Sequence, residues 1–235
     1  MNVIKIRSAM ILAAGRGERM RPVTDKIPKP LIPVAGRSML ERSIDRLAEH
    51  GVTNIVVNVH HLGQQIADRL DNRVRIVRED RLLGTGGSVK NALPLLGPGP
   101  FYVVNGDGLW REGPGYPLLG RMEGYWRPAR MGALLLLQPI HKVFGREPTD
   151  RGDYFLEPGG HLRHRGVAML TPFAFASVSV CDPRLFEDSP EGPFSLLKLW
   201  HRAEAAKRLF GIVHEGDWFH IGTPKALAEA ERLLG

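Results

Sequence analysis

MILAAGRGERMRPVTDKIPKPLIPVAG, residues 10–36, is the stretch on which the reading of the fold turns. An apolar run of strand length stops at Gly15, and glycines, cations and prolines follow before any helix can start. Ser8–Ala14 is therefore read as a buried strand that opens into a long, stiffened loop. Beyond the loop, Ser38 stands where it can N-cap a helix running to His50, with Leu40, Ile44 and Leu47 as its apolar stripe and Gly51 as its stop. NIVVNV, VRIV and FYVVNGD read as further strands, the last ending at Asp107. LGQQIADRL and GTGGSVKNALPLL, with Thr85 as cap, read as the intervening helices. Strand and helix alternating over short connections predict an α/β protein with a parallel sheet wrapped by helices.

The second half is less regular. Gly113–Gly132 reads as a surface excursion, GALLLL as a buried strand, and Gly145–Gly166 as a hairpin or flap. AFASVSV reads as a strand, SLLKLWHRAEAAKRL as a helix and WFHIG as a short strand. TPKALAEAERLL is a closing helix with Thr223 as N-cap and Pro224 at its first position. No repeat or linker interrupts the chain, so 235 residues are expected to form one domain.

Composition excludes several classes. No apolar stretch reaches the length of a membrane span, and no secretory signal pattern follows Met1. Cys181 is the single cysteine, which rules out an intramolecular disulfide and suits a reducing cytoplasm. The formal charge of +7 asks for an anionic partner, but the cations are scattered singly and no nucleic-acid motif is present. Neither nucleic acid nor membrane is expected as a partner.

The cations after Gly15 need their own account. The loop is not a P-loop, and Met20 stands where a dinucleotide fingerprint wants glycine. Two glycines with Arg16, Arg19 and Arg21 still suit a polyphosphate, through exposed N–H groups and guanidinium forks. A plain strand-to-loop turn with solvated arginines is the alternative. Lys29 lies between Pro28 and Pro30, rigid flanks that make sense if its ammonium is aimed at one point. Asp107 ends a strand on the side where open α/β sheets bind ligands; it is either a turn aspartate or a metal ligand.

These residues resemble the sugar-1-phosphate nucleotidylyltransferases. LAAGRGERMRPVTDKIPKPL matches the family's opening signature, and GVTNIVVNVHHLGQQI, LLGTGGSVKNALPLLG, FYVVNGD and GDWFHIGTPKALAEAERLL extend the likeness along nearly the whole chain. The short length and HHLGQQI look most like the N-acetylmuramate-1-phosphate uridylyltransferases of peptidoglycan recycling; mannose-1-phosphate guanylyltransferases look very similar. The resemblance implies a three-layer α/β/α, Rossmann-like nucleotidyltransferase fold with a mostly parallel central sheet. Residues 1–110 would chiefly bind nucleotide and residues 111–235 chiefly the sugar phosphate.

It also implies the reaction. A sugar-1-phosphate oxygen attacks the α-phosphorus of a nucleoside triphosphate, UTP being favoured, and pyrophosphate leaves. The attacking monoester has a second pKa near about 6, so no general base is needed and cations carry the work. Arg19, Lys29 and Asp107 are the catalytic candidates, Arg19 holding pyrophosphate and Lys29 bridging the reacting phosphates. Leu12, Ala13, Ala14, Gly15, Arg16, Gly17, Glu79 and Gly84 are expected to bind the nucleotide, with Glu79 facing the base. Asn105 and Asp153 are expected on the sugar phosphate.

Mg²⁺ is the implied cofactor, on Asp107 and His220. His220 stands where the family usually has aspartate, so Mn²⁺ is a second choice, and a packed strand histidine beside Trp218 is the alternative. Asp217 is expected on the opposite face of that strand. FASVSV departs from the family's F-[ST]-G-I at Ala176 and Ser177. The His60–His61 pair is read as structural. The protein is expected to act as a monomer or weak dimer, and a catalytically silent nucleotide-binding regulator is the rival from another class.

Overall fold

The computed structural model describes residues 4–235. Strand β1 (Ser8–Leu12) enters the loop, which ends in the small hairpin of β2 (Pro33–Val34) and β3 (Arg37–Ser38). Helix α1 (Met39–Glu49) starts at Ser38, whose Oγ accepts from the Glu41 N–H while the Glu41 carboxylate accepts from the Ser38 N–H. This reciprocal cap satisfies two donors that a helix start leaves open. The alternation continues through β4 (Asn54–Val59), α2 (Gly63–Arg69), β5 (Val74–Arg78), α3 (Gly84–Leu96) and β6 (Phe101–Asn105).

The second half adds β7 (Gly108–Arg111), α4 (Leu118–Tyr125), β8 (Ala133–Pro139) and β9 (Val143–Phe144). A hairpin of β10 (Tyr154–Leu156) and β11 (Leu162–His164) follows, then β12 (Phe173–Cys181) and α5 (Leu196–Ala205). β13 (Leu209–Val213), β14 (Asp217–His220) and α6 (Pro224–Leu234) complete the chain. None of the described helices is long and apolar enough to cross a membrane.

The central strands lie in the order β6-β1-β4-β5, all parallel, with Leu12 in register with both Asn58 and Asn105. Antiparallel β12 extends this sheet beyond β6 and also pairs with β8, which carries parallel β13. β7, β14 and β9 form a second, three-stranded sheet. Alternation along each strand separates two cores. Ala9 and Ile11 face the helices α1, α2 and α4, while Met10 faces α3 and α5. That is the expected three-layer arrangement.

Four sequence expectations change. Gly113–Gly132 is no surface excursion: it contains α4, which buries Leu118, Leu119 and Met122 in the first core. Buried Glu123 on α4 accepts from Lys5 Nζ at 3.0 Å and from the Ile6 N–H at 2.9 Å, so it binds this helix to the start of the chain. The helix after Ser195 stops at Ala205, because Lys207 takes a left-handed conformation (φ 55) and Leu209 starts a strand. FYVVNGD is strand only to Asn105; Gly106 and Asp107 turn the chain into β7. Thr85 does not cap its own helix, whose N-cap is Leu83; its Oγ1 instead accepts from the Leu196 N–H of α5 at 2.9 Å.

A third core explains how so irregular a loop keeps its shape. Met20, Ile32 and Val34 from the loop pack with Phe219, Ile221 and Ala230 from the end of the chain. Met20 is fully buried, so the residue that spoils a dinucleotide fingerprint is the loop's anchor.

Candidate active site

Two cavities lie beyond the carboxyl ends of the central strands and share Asn105 and Asp107. The first, of about 570 Å³, is walled by the Leu12–Arg19 segment, Lys29, Glu79 and the start of α3. The second, of about 360 Å³, is walled by Arg146, residues 149–153, Arg165, Ser177 and His220. Leu12, Ala13, Ala14, Gly15, Arg16, Gly17, Arg19, Lys29, Glu79 and Gly84 therefore come together in one cavity, and Asp153 and His220 in the other.

The loop is held by its backbone. Gly17 has φ 64; its carbonyl accepts from the Met20 N–H at 2.8 Å and from Thr24 Oγ1 at 2.9 Å. A Cβ there would lie 2.9 Å from Thr24 Cγ2 and 3.1 Å from Lys29 Cβ, so this position requires glycine. Gly15 is different: no atom lies within 4 Å of the Cβ it lacks. Arg19 packs its guanidinium against Gly222, where a Cβ would be 3.2 Å away. Arg21 lines neither cavity and pairs with Asp25 at 3.2 Å. The polyphosphate reading of the arginine trio thus keeps Arg16 and Arg19 only.

Lys29 starts a single 3₁₀ turn, with Pro28 extended before it and Pro30 inside it. It is 8% exposed, and its Nζ donates to Asp107 Oδ2 at 3.0 Å. Burial by itself would raise the Asp107 pKa, but Lys29, His220 and Arg19 outweigh it and hold the carboxyl below its ordinary value. His220 stacks on Trp218 with ring centroids 5.6 Å apart and planes 5° apart. Burial lowers the His220 pKa against the pull of Asp107, so the ring is neutral at pH 7. Asp217 points elsewhere, to Arg111.

One polar chain was missed in the sequence. Buried Asn58, on β4, accepts from the Ala13 N–H at 2.9 Å and donates to Glu79 Oε1 at 2.8 Å. The Leu83 N–H reaches Glu79 Oε2 at 3.4 Å. Glu79 is thus fixed in the cavity wall, and the loop end is tied to it through one side chain. An asparagine inside VVNV was the available signal.

Gly84, at φ 68, approaches Phe194, whose carbonyl would be 2.7 Å from an added Cβ. The Gly86 and Gly87 N–H groups donate to that same carbonyl at 2.9 and 3.2 Å. The start of α3 is therefore plugged by protein, and its glycines serve packing as well as the cavity. On the other side, Asp153 Oδ2 accepts from the Phe175 N–H at 2.8 Å. Ser177, which stands in place of the family's glycine, takes φ 63 where β12 bulges. His60 and His61 bond to the carbonyls of Glu79 and Thr24.

Among the described residues no three His, Cys, Asp or Glu side chains gather to hold a metal. Asp107 is the one carboxylate common to both cavities. A cation there would take one carboxylate from the protein and its remaining oxygens from phosphates and water. That donor set fits Mg²⁺, which keeps most of its shell from substrate and solvent.

A strand-end loop of glycines and arginines, opening on a lysine–aspartate pair between two cavities, is an arrangement for handling phosphates. A crystal structure of UDP-glucose pyrophosphorylase complexed with UDP-glucose superposes with a TM-score of 0.80 over 98% of each chain, at 17% identity. The fold is thus the nucleotidyltransferase fold. Residues 9–110 match the MobA-like NTP transferase domain. The chain is 40% identical to the N-acetylmuramate alpha-1-phosphate uridylyltransferase of Caulobacter vibrioides, over 96% of each protein. It is 36% identical to the protein of that name from Neisseria meningitidis, over 97% of this chain and 98% of that one. The chain belongs to the sugar-1-phosphate nucleotidyltransferase family.

Proposed function

We propose that this enzyme transfers UMP from UTP to N-acetylmuramate 1-phosphate, in the cytoplasm, with release of pyrophosphate. The observation that carries this reading is the junction of the two cavities at Asn105 and Asp107, with buried Lys29 fixed on it. The nucleotide occupies the first cavity and the sugar the second, so the two phosphates meet at that junction. The two relatives above, alike along their whole length, favour the uridylyl and N-acetylmuramate halves of the assignment.

The residues then divide the work. Arg16, Arg19 and the Gly15–Gly17 N–H groups hold the β- and γ-phosphates, stabilising the charge that builds on the leaving group. Lys29 lies between the two phosphates and offsets the repulsion between anions that have to touch. Glu79 is a fixed acceptor for a ring N–H, which uracil offers at N3 and guanine at N1, whereas cytosine and adenine have bare ring nitrogens there and donate only through their amino groups. Asn105 and Asp153 position the sugar phosphate. Asp107 would hold Mg²⁺, with His220 against it, and the ion would neutralise phosphate charge.

Pyrophosphate release measured across nucleoside triphosphates and sugar 1-phosphates tests the assignment. UTP with N-acetylmuramate 1-phosphate is expected to be the best pair. GTP with mannose 1-phosphate as the best pair would refute it. No release with any pair, despite nucleotide binding, would point to the silent regulator. His220→Asp tests the second ligand: unchanged activity and unchanged Mg²⁺ against Mn²⁺ preference would remove His220 from the metal's surroundings.

A further inference from the structure

The second cavity balances in formal charge, but its arginines are not used up in ion pairs. Arg146, Arg151 and Arg165 line it, and its acids are Asp107, Asp150 and Asp153. Asp107 is already paired with Lys29. The Asp150 and Asp153 carboxylates each accept a backbone N–H at 2.8 Å, from Glu147 and Phe175. Among the described residues, the ion pairs engage none of the three arginines. Arg146 and Arg151 reach only the carbonyls of Asp150 and Met169, at 2.9 and 3.4 Å. Arg165 is half-buried, and its Nε is buried with no hydrogen-bond partner.

Lining the cavity, the terminal nitrogens of Arg165 have no hydrogen-bond or ion-pair partner among the described residues, so a guanidinium that is half-buried stands there unpaired. The substrate's own phosphate is not that partner. It belongs at the Asn105–Asp107 junction, whereas these three arginines line the second cavity alone. A planar fork left open in a sugar-sized cavity matches a carboxylate, which it can grip through two parallel bonds. We propose that Arg165, flanked by Arg146 and Arg151, recognises a carboxylate carried by the sugar itself, making this cavity selective for acidic sugar 1-phosphates. The proposal rests on the reading above that the second cavity takes the sugar. A neutral sugar would be disfavoured because it leaves the guanidinium unpaired.

The test compares N-acetylmuramate 1-phosphate with N-acetylglucosamine 1-phosphate, the same ring without the lactyl acid. KM and kcat for pyrophosphate release with UTP are measured for wild type, Arg165→Ala and Arg165→Lys. Binding of each sugar phosphate is measured by calorimetry. Wild type should prefer the acidic sugar in kcat/KM by about 10- to 100-fold, the range of one charge-assisted hydrogen bond. Arg165→Ala should raise KM for that sugar by most of this factor, change kcat little and collapse the ratio between the two sugars. Arg165→Lys, which keeps the charge and loses the fork, should restore part of it. Should Arg165→Ala not fold, Arg165→Lys and Arg151→Ala carry the same comparison. A ratio left at the wild-type value in these variants overturns the proposal while the sugar assignment stands. A wild-type enzyme that prefers the neutral sugar overturns the assignment, and the proposal with it.

Discussion

Gly15 and Gly17 lie two residues apart in one loop, and alanine at each should fail in a different way. At Gly17 the backbone is left-handed (φ 64), which costs a residue with a Cβ about 1–2 kcal/mol. The new methyl would also press on Thr24 Cγ2 at 2.9 Å and Lys29 Cβ at 3.1 Å, and such overpacking adds about 1–3 kcal/mol. The sum, about 2–5 kcal/mol, should lower the melting temperature by roughly 4–20 °C for a chain of this size. At Gly15 no atom lies within 4 Å of the added Cβ. Gly15→Ala should therefore leave stability unchanged, or raise it by up to about 1 kcal/mol through the unfolded chain. Gly15 lines the first cavity, and on the reading that this cavity takes the nucleotide the added methyl narrows it, so KM for the nucleoside triphosphate should rise about tenfold or more, equivalent to about 1.4 kcal/mol. Urea titrations and nucleotide kinetics on both variants decide the matter. Equal destabilisation by the two alanines, or an unchanged nucleotide KM in Gly15→Ala, would refute the reasoning.

Asn58→Leu should cost about 2–5 kcal/mol in urea, because it strands the Ala13 N–H and a Glu79 oxygen together. With Glu79 untethered, KM for the nucleotide should rise more than KM for the sugar phosphate. Ser177→Gly should raise the melting temperature by a few degrees, since it releases about 1 kcal/mol of left-handed strain at φ 63. Stability should also fall as pH drops from 7 towards 5. His164, His214 and His220 have folded pKa values lowered by burial, so the unfolded chain binds protons first, below about pH 6.5. Buried His214 alone can contribute up to about 1.4 kcal/mol per pH unit, and His214→Gln should flatten the slope. Asp107 and Asp182, held below their ordinary values, add a separate loss only below about pH 4.

The first 110 residues were legible because each element there announces itself locally. Ser38 marks α1, the residues Gly84–Leu96 form a helix as read, and NIVVNV and VRIV carry strand-length apolar runs. The second half hides its signals. The helix α4 lies among glycines, prolines and aromatics, and only packing against the first core selects it over a loop. β13 has no counterpart in the sequence reading, where the preceding helix runs on to Leu209, because the break falls on Lys207, a residue that rarely takes φ 55 and carries no turn signature. In the candidate site, the loop's composition pointed to phosphate, and Arg16, Arg19, Lys29 and Asp107 do converge. Asn58 shows in the sequence only as a polar residue in an apolar strand; its ties to Ala13 and Glu79, like the Thr85–Leu196 bond, depend on partners far along the chain, and Arg165 reaches the second cavity only through the fold.

The third core has a consequence for synthesis. The loop near the start of the chain is clamped by Phe219, Ile221 and Ala230, Arg19 rests on Gly222, and the Ala35 N–H bonds to Glu231 at 2.9 Å. Some 200 residues must leave the ribosome before the phosphate loop meets the segment that holds it. A nascent chain can close its parallel sheet early and still own no working site. Activity therefore reports delivery of residues 217–234, and a chain cut before α6, which keeps every strand, should retain its parallel sheet and lose activity.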